Sequence, residues 1–249
     1  MMRLGIIGGT AMTSLATDEI EVTRSDNIIA QTDFGPVPML CVKSGSAELI
    51  FIERHHGDGT TPPHRINHRA NMQAMAGAGV DAILAVCSVG TIPKDFPPGS
   101  VGFATQYIDF TGVDMSFFED DVKFTSMTQP FDSEMNNLLE SVLSKLQPGL
   151  RLGRTYWLAQ GPHFETSAEI DAIEKLGGEV VGMTMPRECK LAAELGIPYA
   201  AILVSSNWAA GREPGDSSKD LDHSEVSATA ETKLGPVIEC IKFLLLDIS

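Results

Sequence analysis

Positive charge is what this sequence has least of. Its 18 Lys and Arg stand against 33 Asp and Glu, a formal net charge of −15 at pH 7. Binding a phosphate backbone needs a basic face, so neither DNA nor RNA is expected as a partner. Cysteine is also scarce: Cys41, Cys87, Cys189 and Cys240 lie far apart with no C-x-x-C spacing, which argues against zinc and disulfide frameworks. There is no long apolar run. The C-terminal Ile241-Lys242-Phe243-Leu244-Leu245-Leu246 is far too short to span a bilayer, so no membrane association is expected. The first residues, Met1-Met2-Arg3-Leu4-Gly5-Ile6-Ile7, run into a strand and a glycine turn rather than a cleavable signal. A soluble cytoplasmic protein is the expectation. Low-complexity tracts and linkers are absent, and 43% hydrophobic residues across 249 positions suffice for one sizeable core, read as a single domain over residues 1–249.

Most informative is Val180-Val181-Gly182-Met183-Thr184-Met185-Pro186-Arg187-Glu188. A β-branched strand loses its side chains at Gly182 and presents a methionine and a hydroxyl. Pro186 then opens a helix, since its missing N–H costs nothing in the first turn. Ligands of open α/β sheets sit beyond the carboxyl ends of strands, so Met183 and Thr184 are candidate site residues. A hydroxyl cap beside a core methionine is the alternative. Leu4-Gly5-Ile6-Ile7 reads as a buried strand and Gly8-Gly9-Thr10 as a turn with free N–H groups. The G-x-G-x-x-G and G-K-[ST] patterns are missing, so no dinucleotide or Walker-type site is supported. Strands are predicted around Met39 to Val42 and Ala47 to Ile52, the second running into Arg54-His55-His56. Arg54 offers a planar donor fork suited to phosphate. The histidines His55, His56, His64 and His68 lack the spacing of a zinc pair, so no metal is expected; His55 and His68 also fit a polar surface loop.

A helix follows His68 and ends at Gly79. Asp81 to Val86 is the clearest central strand, finishing in the small-residue turn Cys87-Ser88-Val89-Gly90-Thr91. Cys87 is a core thiol or, less simply, a nucleophile. Further strands are predicted over Val101 to Ile108, Thr155 to Ala159 and Tyr199 to Val204, with helices over Asp132 to Leu146, Ser167 to Leu176, Arg187 to Leu195 and Ser224 to about Asp247. Met115-Ser116-Phe117-Phe118 reads as an exposed aromatic loop of the kind that meets a partner subunit.

Five segments together, Gly8-Gly9-Thr10, Arg54-His55-His56, Gly161-Pro162-His163-Phe164-Glu165-Thr166, Val181-Gly182-Met183-Thr184 with Pro186-Arg187-Glu188, and Asn207, resemble the trimeric purine nucleoside phosphorylase and methylthioadenosine phosphorylase family. The resemblance runs from Gly5 to the final helix. It implies an α/β domain around a central mixed, partly barrel-like β-sheet flanked by helices, a homotrimer (or hexamer), and no metal or organic cofactor. The implied chemistry is phosphorolysis: inorganic phosphate, a co-substrate, attacks the anomeric carbon of a nucleoside and the purine leaves. By that resemblance Thr10, Arg54, His55 or His56, Ser88 or Val89 through a main-chain N–H, and Thr184 cradle phosphate. Met183 packs on the ribose and Phe164 on the base. Glu165 is an acceptor-only carboxylate suited to the N1–H of a 6-oxopurine, and Asn207 donates to O6 or N7 as charge builds on the leaving base. With Ala209 where a second acid could stand, inosine and guanosine are expected over adenine nucleosides. His223 matches the 5′-hydroxyl position of ordinary nucleoside phosphorylases, whereas Pro63, Asn67 and Arg54-His55 look like the methylthio branch, so S-methyl-5′-thioinosine or S-methyl-5′-thioadenosine is the alternative substrate. A nucleoside hydrolase or a nucleoside-binding protein is the alternative from another class.

Overall fold

The computed structural model describes residues 2–9, 20, 22–56, 61–221 and 234–247. Thr10, His223 and the expected helix start at Ser224 lie outside the described residues. Nine strands form one mixed sheet: β1 (Arg3–Gly8), β2 (Arg24–Ala30), β3 (Val37–Ser44), β4 (Ala47–Glu53), β5 (Ala82–Thr91), β6 (Val101–Asp109), β7 (Gly153–Leu158), β8 (Val180–Gly182) and β9 (Tyr199–Trp208). The described helices are α1 (His68–Gly77), α2 (Ser133–Leu146), α3 (Ser167–Lys175), α4 (Met185–Leu195) and α5 (Gly235–Asp247), with a short 3-10 turn over Pro63–Arg65.

The strand order is β2-β3-β4-β1-β5-β8-β7-β6-β9, and β9 returns to pair with β5. Strands β5, β8, β7, β6 and β9 therefore close a ring, from which β1, β4, β3 and β2 extend as an open sheet. The central strands β1, β5 and β9 run parallel to one another, β5 pairing with both of the others, and are apolar on both faces, as burial on both sides requires. One face of the sheet packs on α2 and α5 through Met135, Leu139, Leu143, Val237 and Ile241. The other packs on α1 and α4 through Met72, Met75, Met185 and Leu191. Asp132 caps α2 by accepting from the Met135 N–H at 2.8 Å, and Thr166 with Glu169 forms a capping box on α3.

Strand β5 departs from the expected turn at residues 87–91. It runs on to Thr91 because β9 accompanies it, Thr91 pairing with Trp208, with a register shift between Val89 and Gly90. On its other side β5 has two successive neighbours. β1 pairs with it in parallel only as far as Ala85, and β8 pairs antiparallel from Gly90 to Thr91. The ends of β1 and β8 point toward each other, leaving a fork beside Val86 to Val89. The edge strand β2 was not expected: it is mostly exposed and lacks an apolar alternation.

The fork needs Gly182. A Cβ there would collide with the Tyr156 hydroxyl and ring, which sit beneath the end of β8. Gly182→Ala is expected to lower stability by about 1–3 kcal/mol, the cost of overpacking a filled core, measured by denaturant unfolding.

Candidate functional site

The fork gathers chain ends that are distant in sequence. Continuing the β8 register past Gly90–Val181 brings Thr184 opposite Cys87. Thr184 does not cap α4, so its hydroxyl is not committed to the helix it precedes. The Thr184 N–H instead donates to the Tyr156 hydroxyl at 3.4 Å. Pro186 stands in the first turn of α4, and the amino end of that helix faces the fork with its favourable potential for an anion.

Extended residues turn both their N–H and C=O to one side of the strand. The Val86 carbonyl accepts from Arg54 and the Val89 carbonyl from Ser206 of β9. By alternation the Ser88 N–H faces the open side of the fork and the Val89 N–H faces β9. Of the two main-chain donors expected here, Ser88 supplies the one directed into the gap.

Arg54 is aimed differently from the expected open fork. It is 4% exposed. Its Nε donates to Glu188 Oε1 at 2.5 Å and its Nη2 to Glu188 Oε2 at 3.1 Å. The carbonyls of Val86 and Ile7 take further guanidinium N–H groups at 3.2 and 3.3 Å. Four of its five N–H groups are thereby engaged inside the protein. Glu188 is fully buried and also accepts from the Tyr199 hydroxyl at 3.0 Å. Burial by itself would raise its carboxyl, but the Arg54 guanidinium overrides this and holds it down to about 2. His68 is buried as well, not on a surface loop. Its Nδ1 lies 3.6 Å from Glu188, too long for a hydrogen bond, and burial pushes its imidazole below the usual range.

The turn after Arg54 is tied to α1. His56 has φ 57°, an uncommon conformation for a residue with a side chain. Its Nε2 lies 2.7 Å from the Asn71 Oδ1, whose amide nitrogen reaches the Arg54 carbonyl at 3.4 Å. That arrangement makes Oδ1 the acceptor and His56 Nε2 the donor. His55 Nδ1 donates to the Thr61 carbonyl at 2.6 Å.

At the other end of the fork, Gly90 lies against Asn207: a Cβ on Gly90 would stand 3.3 Å from the amide nitrogen. Ala209 donates its N–H to the Thr91 carbonyl at 2.8 Å and is buried in a small apolar cluster with Ile170, Ile173 and Val181. Gly211 approaches Ser167 at the start of α3, and Arg212 reaches Asp171 and Glu174 at 2.8 Å, so the segment after β9 is bound to the helix that follows Glu165. Glu165 is half-buried, and its Oε1 has no hydrogen-bond partner among the described residues. Burial raises its carboxyl above the ordinary value. Met183 is half-buried against Gly161, while Phe164 remains 37% exposed.

Sequence reasoning passed over Asn71, Tyr156, Tyr199 and Ser206, which bond to groups on other elements of the fold. Among the described residues there is no cluster of three metal-ligating side chains, and no helix is long and apolar enough to cross a membrane. A groove of about 370 Å³ opens at the β2 edge beside Ile28, Ile29, Met39 and Phe51. Mostly apolar side chains line it and it includes none of the expected site residues. The convergent donors at the fork make the fork the better candidate.

The Arg54–Glu188 pair makes a checkable demand. Glu188→Gln is expected to destabilise the fold by about 3–5 kcal/mol, the cost of leaving one buried charge unmatched. Because the Glu188 carboxyl is depressed, its contribution is fully present above its ordinary 4.5 and is lost as pH falls toward about 2. Acid unfolding followed by circular dichroism should show that loss in the parent and not in the variant.

The family model described as the phosphorylase superfamily matches residues 4–242. A probable S-methyl-5′-thioinosine phosphorylase from Thermodesulfovibrio yellowstonii is 34% identical, over 97% of this chain and 89% of its own length. A 6-oxopurine nucleoside phosphorylase from Pyrococcus furiosus is 33% identical, over 97% and 91%, and a probable one from Dictyoglomus turgidum is 37% identical, over 90% and 84%. Among solved structures, a methylthioadenosine phosphorylase from Schistosoma mansoni in complex with adenine superposes with a TM-score of 0.87 at 21% identity, covering 100% of this chain and 92% of its own, and shares the fold. With a nine-stranded sheet of this order, a fork where its strands part, and matches of this extent, the chain belongs to the phosphorylase superfamily.

Proposed function

We propose that the protein is a purine nucleoside phosphorylase, a pentosyltransferase that reversibly splits 6-oxopurine nucleosides such as inosine and guanosine into free base and ribose 1-phosphate in purine salvage. The observation that carries this reading is the fork, where the Ser88 N–H, the Thr184 hydroxyl and the amino end of α4 converge on one side of β5, with Asn207 paired to Gly90 on its other side. Phosphate sits among these donors, with Thr10 and His55 or His56 completing the cradle and Val89 supporting it. Arg54, its charge matched by Glu188, holds the cradle in shape and offers its one remaining N–H. A chain of net charge −15 can take an anion in this way because the donors are local and preorganised. No covalent nucleophile is required: positioning and charge stabilisation suffice.

Asn207 and Glu165 act on the base. Glu165 accepts the N1–H of a 6-oxopurine with an oxygen that lacks a partner among the described residues, and Asn207 donates to O6 or N7. A 6-aminopurine has no N1–H to offer, so its binding leaves that carboxylate oxygen unpaired, the strong form of discrimination. Met183 lies beneath the ribose, and Phe164 and Ala209 flank the base. The S-methyl-5′-thioinosine reading stands second, favoured by relatives of that name, which carry the same 6-oxopurine requirement in their name and differ at the 5′ substituent. His223 is the residue we assign to a 5′-hydroxyl. Residues 1–249 act as a single nucleoside phosphorylase domain without metal or organic cofactor, in the cytoplasm. A homotrimer is supported by the exposed Phe110, Val122 and Phe124, the aliphatic and aromatic side chains left uncovered around the loop after β6. Phe117, expected in that patch, is instead partly buried on Phe34.

The deciding experiment is turnover of inosine, guanosine, adenosine, S-methyl-5′-thioinosine and S-methyl-5′-thioadenosine with and without phosphate. Phosphate-dependent release of hypoxanthine or guanine is expected; inosine turnover undiminished without phosphate would overturn the reading. Asn207→Ala should cost about 10²–10³ in kcat, as loss of a donor to a developing charge does. Glu165 gives a second, pH-based check. It must be ionised to accept from N1–H, so kcat/KM for inosine should fall as pH drops through its raised pKa, and Glu165→Gln should lose both the activity and that acid limb. Because a raised carboxylate weakens the fold once ionised, the Gln variant should also melt higher than the parent at pH 7.

A further inference from the structure

Ser206 is 3% exposed, lies between the two halves of the proposed site, and has no part in the roles assigned above. Its hydroxyl accepts from the Ser88 hydroxyl at 2.7 Å. It donates toward the Asn207 Oδ1 at 2.8 Å, with the Val89 carbonyl as a longer second acceptor at 3.2 Å. The Asn207 amide nitrogen in turn donates to the Trp208 carbonyl at 2.8 Å. A carbonyl can only accept, so the Trp208 contact requires nitrogen at that position of the amide. The hydroxyl proton arriving from Ser206 requires oxygen at the other. The two requirements agree on one orientation. Oδ1 is held by Ser206, one amide N–H is held by Trp208, and one N–H is left to point elsewhere.

We infer that Ser206 is a positioning residue that fixes the Asn207 amide, so that it presents an N–H donor to an acceptor atom of the purine. The inference rests on the assignment of Asn207 to the base and deepens it. A side-chain amide has nearly the same shape in its two orientations, and only its partners decide which end faces a ligand. Flipped, it would set a carbonyl oxygen against O6, an acceptor against an acceptor, and would suit an exocyclic amino group instead. Ser206 therefore contributes to choosing 6-oxopurine over 6-aminopurine nucleosides without touching either. The same relay commits the Ser88 hydroxyl proton to Ser206, which leaves the Ser88 main-chain N–H as that residue's donor to the anion.

The test is a double-mutant cycle on the inosine-to-adenosine ratio of kcat/KM, with phosphate KM measured alongside. Ser206→Ala is expected to lower the ratio at least tenfold and leave phosphate KM within about twofold. In an Asn207→Ala background it should change nothing further, because it acts only through that amide. Losses that multiply across the two sites, or an unchanged ratio in the single variant, would overturn the inference. Should the alanine variant not fold, Ser206→Thr and Ser206→Val give the same answer, since they differ by a hydroxyl against a methyl. Thr is expected to keep the ratio within about threefold and Val to lose it, and equal behaviour of the two would again overturn the proposal. Absence of any phosphate-dependent turnover by the parent protein would instead count against the phosphorylase reading itself, so the two failures are distinguishable.

Discussion

The ion pair between Arg54 and Glu188 is the constraint from which the site geometry follows. Moving both charges out of water carries a penalty of roughly several kcal/mol per ion, and the pair survives because nearly every lone pair and proton around it is occupied. Two parallel N–H···O bonds join the partners, Tyr199 covers one carboxylate oxygen, and the Val86 and Ile7 carbonyls take the outer guanidinium N–H groups. Those contacts tie the end of β4, the end of β1, the middle of β5 and the first turn of α4 to one point. Such a pair contributes less to net stability than to specifying one arrangement, and here the arrangement specified is the gap between β1 and β8.

Once that gap is fixed, the rest of the site is a matter of what the surrounding strands leave unpaired. β5 is hydrogen-bonded along its whole length to β9 but only intermittently on its other side, so main-chain donors open toward the fork without any break in the core. Gly182 and Gly90 are small where Tyr156 and Asn207 approach, and those two approaches set the positions of Thr184 and the Asn207 amide. Glu165 stands apart from this economy. A half-buried carboxylate oxygen without a partner among the described residues weakens the fold, and its retention is intelligible where a ligand supplies the missing donor.

Much of the architecture was legible in the chain itself. Runs such as Ala82 to Val86 and Tyr199 to Val204 are apolar without alternation, which only strands buried on both faces tolerate, and capping residues such as Asp132 and Thr166 mark helix starts by local hydrogen bonding. The misreadings share a cause. Residues 87–91 look like a turn because they are small, yet they continue a strand because β9 pairs beside them. Residues 24–30 look like a loop because an exposed edge strand has no apolar face to display.

The sequence alone determined most of the element types, the unfavourable field for nucleic acid and the motifs that carry the family likeness, because each depends on composition or on neighbours within a few residues. Tertiary structure alone decided what those motifs face. Arg54 reads as an open donor fork until Glu188, 134 positions further on, takes it inward. The Asn207 amide has no defined orientation until Ser206, Trp208 and β5 are arranged around it. A polar side chain advertises its donors and acceptors in the sequence, but the choice among possible partners belongs to whichever groups the fold brings within 3 Å or so of it, and that is a property of the packed chain.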